Sequence, residues 1–340
     1  MKALQFIGTQ RSGSNLLRVM LNGHSAISAP HPPHILQVMM PFLPGYGTLE
    51  DPKAFKQLVE DVCTLVESNP VNWDIHFDRE SIELACENIS LPQIMKAVYE
   101  AKARAGNATI WSCKSMASIH YAEQIENAGL NPFYIFIYRD GRDVACSFRK
   151  AVVGEKHVYN LALQWKDEQE KSIALCNTVG EGRAIRIRYE DFILNPEQDL
   201  RRICLALGIS YEPQMMNYAD SDESKMTASS GKMWGNLVKP VLKHNTRKYL
   251  SELSREELII FESVAGDTLE KLGYYRLIPT DELREFSASD IELFYAKNKK
   301  WQHEAKQEAE VDMQKRKAQD DFIQHLRTRL NEKKRIDGEY

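Results

Sequence analysis

Apolar residues along this chain fall into blocks with two periods. Short segments at Ala3–Ile7, 109–112, 132–138 and 183–189 predict strands, the first largely apolar as a buried strand would be. The third, Phe133-Tyr-Ile-Phe-Ile-Tyr138, is the strongest, with β-branched and aromatic side chains in one uninterrupted row. Elsewhere apolar positions recur every three or four residues, the period of an amphipathic helix. This holds over 52–68 (Phe55, Leu58, Val59, Val62, Leu65, Val66) and over 80–105 (Ile82, Leu84, Ala85, Ile94, Val98), with Pro70 and Pro92 as breakers. It holds again over 117–128, 158–178 and the stretch ending at Leu207. A further helix over 254–273 opens with Ser254 and Glu257 as a capping pair and stops at Gly273. Strands and helices alternating at this spacing predict an α/β fold, a parallel β-sheet with helices on both faces.

Three stretches break the alternation. Residues 23–44 carry His24, His31 and His34 among five prolines, which predicts a stiff, extended loop without helix. Residues 219–240 are polar and rich in Ser, Gly and Lys, the composition of a functional loop. Residues 289–335 are charge-dense, with one sparse apolar stripe (Phe294, Trp301, Ala305, Ala309, Met313, Phe322, Leu326, Leu330). That pattern predicts a single long helix, packed back on the domain or against a second copy in a homo-oligomer. The expected organisation is a domain over 1–278 with a helical insertion over 45–106, followed by a charged helical extension over 279–340.

Composition narrows the function. A chain of 340 residues with 43% apolar content can bury a large core. The formal net charge of −4 excludes a general nucleic-acid or anionic-membrane binder, so any anion site must be a local basic cluster. The six cysteines are dispersed, which predicts reduced, buried thiols rather than a zinc site or a disulfide framework. No apolar run reaches membrane-spanning length and no secretory leader is visible, so a cytoplasmic location is expected.

Candidate chemistry gathers at two strand ends. After the first strand, Gly8 and Gly13 are spaced as in the phosphate-binding loop G-x-x-x-x-G-K-[ST], but Ser14 and Asn15 stand where Lys and Ser/Thr would hold phosphates and Mg²⁺. Arg11 is the nearest cation. The loop still offers backbone N–H groups, a helix N-terminus, the hydroxyls of Ser12 and Ser14, and a guanidinium to a tetrahedral anion. After the strongest strand comes Arg139-Asp-Gly-Arg-Asp143, then Ser147 two turns into the next predicted helix. An arginine at the carboxyl end of a central parallel strand faces the crevice where such sheets bind ligands. Arg142 and Asp143 read instead as members of local ion pairs.

This combination resembles the sulfotransferase family, whose members take a sulfuryl group from 3′-phosphoadenosine 5′-phosphosulfate (PAPS). The resemblance extends more weakly through WSCKSM and RIRYEDF and covers residues 3–275. With arginine in its first loop, the chain is closer to the bacterial, tyrosylprotein and carbohydrate branches than to the small-molecule cytosolic branch. It implies that Arg11, Ser12, Gly13, Ser14 and Asn15 grip the 5′-phosphosulfate, and that Arg139 and Ser147 hold the 3′-phosphate. Lys248, in TRKYL, matches a short nucleotide-contacting stretch of the tyrosylprotein branch. Lys114 matches the family's second-strand lysine; a surface ion pair is the alternative. The implied reaction is metal-free, in-line transfer from PAPS to a hydroxyl or amine of a small-molecule, carbohydrate or peptide acceptor. Arg11 would neutralise charge on the leaving phosphate. Two alternatives stay open: a kinase-like phosphotransferase, and a non-catalytic nucleotide-binding protein using the C-terminal helix.

An acceptor must lose a proton, and the related branches place a Glu after the first helix for this purpose. The matching stretch here, HSAISAPHPPHIL, has no carboxylate. His31 and His34 are therefore the candidate bases, with no choice between them, and His24 is assigned a structural role.

Overall fold

The computed structural model describes residues 1–308 and 314–336. Five parallel strands form one sheet: β1 (Lys2–Ile7), β2 (Ile27–Ser28), β3 (Ile110–Cys113), β4 (Phe133–Tyr138) and β5 (Ala184–Arg188), in the order β2-β3-β1-β4-β5. The register runs Leu4 beside Phe133 and Lys2 beside Ile110, so β1 lies at the centre with both faces buried.

Strand alternation divides the core. Leu4 and Phe6 of β1, with Ile135 and Ile137 of β4, pack under α1 (Ser14–Asn22), α9 (Tyr189–Leu194) and α10 (Pro196–Leu207). Their neighbours Ile7, Tyr134 and Phe136 face α7 (Gly141–Arg149), α8 (Val158–Val179) and α13 (Arg255–Lys271). Helix α13 carries the expected Ser254–Glu257 capping box. A third cluster joins α3 (Pro52–Glu67), α4 (Arg79–Leu84) and α5 (Leu91–Ala105) to Trp111 and Cys113 of β3, and takes in Tyr46, Trp73 and Phe77. A short helix, α6 (Ala122–Asn127), precedes β4.

The structure corrects the sequence reading in three places. The proline-rich stretch is not free of helix: α2 (Ile35–Met39) starts after His34, and a 3₁₀ helix with Pro41 in its first turn runs from Met40 to Tyr46. A proline at a first helical turn forfeits no intrahelical bond, so Pro41 is compatible with that helix rather than forbidding it. Pro92 likewise begins α5 instead of breaking a helix. The polar stretch over 219–240 contains α11 (Asp222–Ser229) and a 3₁₀ turn over Lys232–Val238, and a short α12 (Tyr249–Glu252) follows. Finally, the extension is not one continuous helix: among the described residues it holds α14 (Ala288–Glu308) and α15 (Lys317–Ile336), the latter preceded by a turn at Lys315–Arg316. Its predicted stripe positions Ala309 and Met313 lie outside the described residues. Both helices pack back on the domain, Phe294 into the cluster under α8 and Leu326 and Leu330 into the cluster of the helical insertion.

Candidate active site

The loop after β1 turns sharply enough to require glycine twice. Gly8 has φ +111° and Gly13 φ +85°, and a Cβ on Gly13 would stand 2.4 Å from the Tyr189 ring. Arg11 also adopts positive φ, at 70°, inside the turn. Helix α1 then begins at Ser14, with Gly13 as its N-cap, so the first-turn N–H groups open onto the loop.

The two strand-end motifs meet. The Arg11 Nε donates to Ser147 Oγ at 3.1 Å, across 136 positions of sequence. Arg139 donates to the Arg11 carbonyl at 3.2 Å and to the Asn245 carbonyl at 2.7 Å, and its guanidinium lies 4.5 Å above the Tyr189 ring. Its Nε is buried without a hydrogen-bond partner among the described residues. Trp165 of α8 holds the Arg139 carbonyl at 3.2 Å, and Gln169 holds Thr9 at 2.8 Å, so one helix braces both loops. Arg142 behaves differently. It is buried between Asp140 (2.7 Å) and Glu262 (2.6 Å), with Tyr249 stacked on it at 4.2 Å. Asp143 accepts from the backbone N–H groups of Arg247 and Tyr249, which ties α7 to the segment carrying Lys248.

These residues open onto a cavity of about 390 Å³ lined by Arg11, Gly13, Ser14, Asn15, His31, His34, Lys114, Arg139 and Ser147. A second cavity of about 320 Å³ shares Arg11, Arg139 and Ser147 and continues to Lys248. Ser12 is the exception: its side chain is fully buried, lines neither cavity and has no hydrogen-bond partner among the described residues, leaving its backbone to serve an anion.

The first cavity is basic. Its lining contains no carboxylate. Lys114 is buried, and burial first, then Arg18 and Arg11, push its ammonium down to about 7. Burial, then Lys114 and Arg316, hold His34 down at about 3. His31 is lowered well below its usual value, again chiefly by burial. Cations gathered around a cavity whose own lining holds no carboxylate fit a polyanion. The His34 Nδ1 lies 3.0 Å from Ser115 Oγ, which orients the ring, and the residue adopts φ 58° at the head of α2. His31 is packed edge-on to Trp234 at 5.3 Å and its Nδ1 is unpartnered among the described residues. His24 takes the structural part expected of it, with Nε2 2.7 Å from the Ser210 carbonyl.

Several lining residues carried no readable signal. Tyr189, Asn245, Met233, Trp234 and Arg316 come from the strand end, the polar loops and the C-terminal extension. Tyr46, Trp73 and Phe77 are core residues and do not line the cavity. Among the described residues no group of three or more His, Cys, Asp or Glu is placed to hold a metal, and no helix is long and apolar enough to cross a membrane.

A five-stranded parallel sheet flanked by helices, with a phosphate-type loop after its central strand and a basic cavity beside it, is a P-loop-like α/β architecture. Residues 5–213 match the model of the Sulfotransferase family, and the chain belongs to that family. Protein-tyrosine sulfotransferase A of Caenorhabditis elegans is 23% identical over 277 residues, covering 78% of this chain and 66% of that protein. Protein-tyrosine sulfotransferase 2 of Gallus gallus is 22% identical over 280 residues, covering 78% of this chain and 68% of that protein. The chain thus spans between about half and two thirds of the length of the curated relatives it matches. Among solved structures, the sulfotransferase domain from the curacin biosynthetic pathway shares the fold, with a TM-score of 0.52 and 22% identity over 80% of this chain and 98% of that one.

Proposed function

We propose that this chain transfers a sulfuryl group from PAPS to an acceptor hydroxyl by metal-independent in-line displacement. The observation that carries this reading is the Arg11–Ser147 hydrogen bond with Arg139 alongside, which merges two remote anion grips into one basic cavity. The loop backbone, Ser14, Asn15 and Arg11 would hold the 5′-phosphosulfate; Arg139, Ser147 and Lys248 would hold the 3′-phosphate. The donor supplies an activated S–O bond, whose electron pair passes to the phosphate oxygen as the acceptor oxygen bonds to sulfur. Arg11 neutralises the charge that grows on that phosphate, a contribution worth about 10²–10³ in kcat. The missing Lys-Ser/Thr pair, which in a kinase-like loop would organise Mg²⁺ and phosphates, disfavours the phosphotransferase alternative.

His34 is the better-placed base. Ser115 fixes its Nδ1, which leaves Nε2 as the nitrogen to take the acceptor's proton. The names of the relatives point to a tyrosine phenol as the first acceptor to try.

Adenosine 3′,5′-bisphosphate, the product nucleotide, should bind without added metal, and sulfate label from PAPS should appear on a tyrosine peptide. Binding that needed Mg²⁺ and favoured ATP would establish the kinase-like alternative. Tight nucleotide binding with no sulfuryl release to any acceptor would establish the non-catalytic one.

A further inference from the structure

The C-terminal extension lies outside the matched region yet reaches the cavity wall. Helix α14 clamps the segment after α7: Asn298 Oδ1 accepts from the backbone N–H groups of Lys156 (2.7 Å) and His157 (2.9 Å). The His157 ring stacks on Phe294 at 4.7 Å and on Trp301 at 5.5 Å. That segment carries Val153 and Gly154 into the cavity lining. Helix α15 is anchored on the far side by buried Leu326 and Leu330 and by the ion pair of Arg329 with Asp61. At its start, Lys315 donates to the Ser229 carbonyl at 2.5 Å and Gln319 to the Leu65 carbonyl at 3.2 Å. Between those two contacts Arg316 lines the cavity, its guanidinium 5.5 Å over the Trp234 ring.

The linings show which end of the site this is. Arg139, Ser147 and Lys248 share the second cavity, from which His31, His34, Lys114 and Arg316 are all missing. Arg11, Arg139 and Ser147 line both cavities, whereas Lys248 lines only the second and His31, His34, Lys114 and Arg316 only the first. The site therefore has a nucleotide end toward Lys248 and a transfer end toward His34, joined at Arg11, Arg139 and Ser147, and Arg316 stands at the transfer end beside the candidate base. We propose that Arg316 is a working residue of the transfer end, delivered by the C-terminal extension, where it stabilises the sulfuryl oxygens in addition to Arg11. This rests on the sulfotransferase reading. The sulfuryl group is anionic throughout its passage from phosphate to acceptor oxygen, and a guanidinium with a fixed fork of donors suits its oxygens.

The test separates the two ends. Affinity for adenosine 3′,5′-bisphosphate, which lacks the sulfuryl group, is measured by calorimetry alongside turnover of PAPS with a tyrosine peptide and with water as acceptors. Arg316→Ala should leave bisphosphate affinity within about twofold and lower both turnovers by about 10²-fold, with Arg316→Lys recovering part of the loss. Unchanged turnover, or a loss of bisphosphate affinity equal to the loss of turnover, overturns the inference. Failure of the unaltered protein to bind the bisphosphate would instead sink the sulfotransferase reading itself.

Discussion

At the scale of single residues, the two arginines of one motif have opposite duties. Arg139 has an unpartnered buried Nε and lines both cavities, whereas Arg142 is consumed by Asp140 and Glu262. Arg139→Ala should weaken adenosine 3′,5′-bisphosphate binding by at least about tenfold, the loss of one charge-assisted pair of about 1.5–3 kcal/mol. Arg142→Ala should leave binding nearly intact in the folded fraction but destabilise the protein by about 3–5 kcal/mol, because two buried carboxylates lose their cation. Calorimetry and chemical denaturation of both variants read this contrast directly. The histidines make a second prediction. With no donor bound, burial and neighbouring cations hold His34 at about 3; a bound polyanion offsets Lys114 and Arg316 and raises it. The acid limb of kcat should therefore lie at higher pH than that of kcat/KM, since the first reports the complex and the second the free enzyme. The limb should vanish in His34→Asn, a substitution whose side chain tolerates the residue's left-handed backbone. What was legible at this scale follows from spacing: Arg11 and Arg139 follow strand ends and Ser147 lies on the helix after β4, so topology aims them at one crevice. Tyr189, Asn245 and Arg316 gave no such signal, since each reaches the cavity through tertiary packing that no local pattern encodes.

At the scale of elements, β1, β3 and β4 were readable because they are buried on both faces and carry mostly apolar runs, whereas the edge strand β5, with the sequence AIRIR, shows only β-type alternation. Strand β2, two residues long in a proline-rich stretch, offers no run to see. The extension misled for a related reason. An apolar position every three or four residues is common to one helix and to two helices packed on different neighbours, and only the burial of Phe294 under α8 and of Leu326 and Leu330 on the insertion separates them. Leu330 sits against Gly45, where an added Cβ would approach to 2.9 Å, so the contact is close and fully complementary. Leu326→Ala should then cost about 2–5 kcal/mol through lost burial and the cavity left behind. Because this side chain anchors α15, the loss should first appear as protease cleavage near residues 314–320, before global unfolding; cleavage confined to the unfolded state would show that α15 is no separate unit of stability.

At the scale of the whole molecule, a chain of net charge −4 gathers cationic side chains around one cavity whose lining holds no carboxylate. Lys114, buried and pushed down to about 7, is half deprotonated near neutral pH, and His31 and His34 are neutral there. The linkage has a definite sign. A lysine whose folded value lies below its unfolded one stabilises the fold least when it must be charged, so the free protein should lose stability as pH falls from about 10 toward 7. A bound polyanion reverses the local balance and favours the protonated ammonium. Binding of adenosine 3′,5′-bisphosphate must then take up protons, and by linkage its affinity must tighten as pH falls from about 8.5 to about 7, above the range where the phosphates themselves, with a second pKa near 6, chiefly titrate. Calorimetry at pH 7.5 in two buffers of different ionisation enthalpy measures that uptake. It should reach a sizeable fraction of one proton in the unaltered protein and shrink in Lys114→Met, where a side chain of similar reach carries no charge. Proton release, or an uptake indifferent to Lys114, would mean that the lysine does not sense the anion and that the transfer end of the cavity is not where the nucleotide's charge arrives.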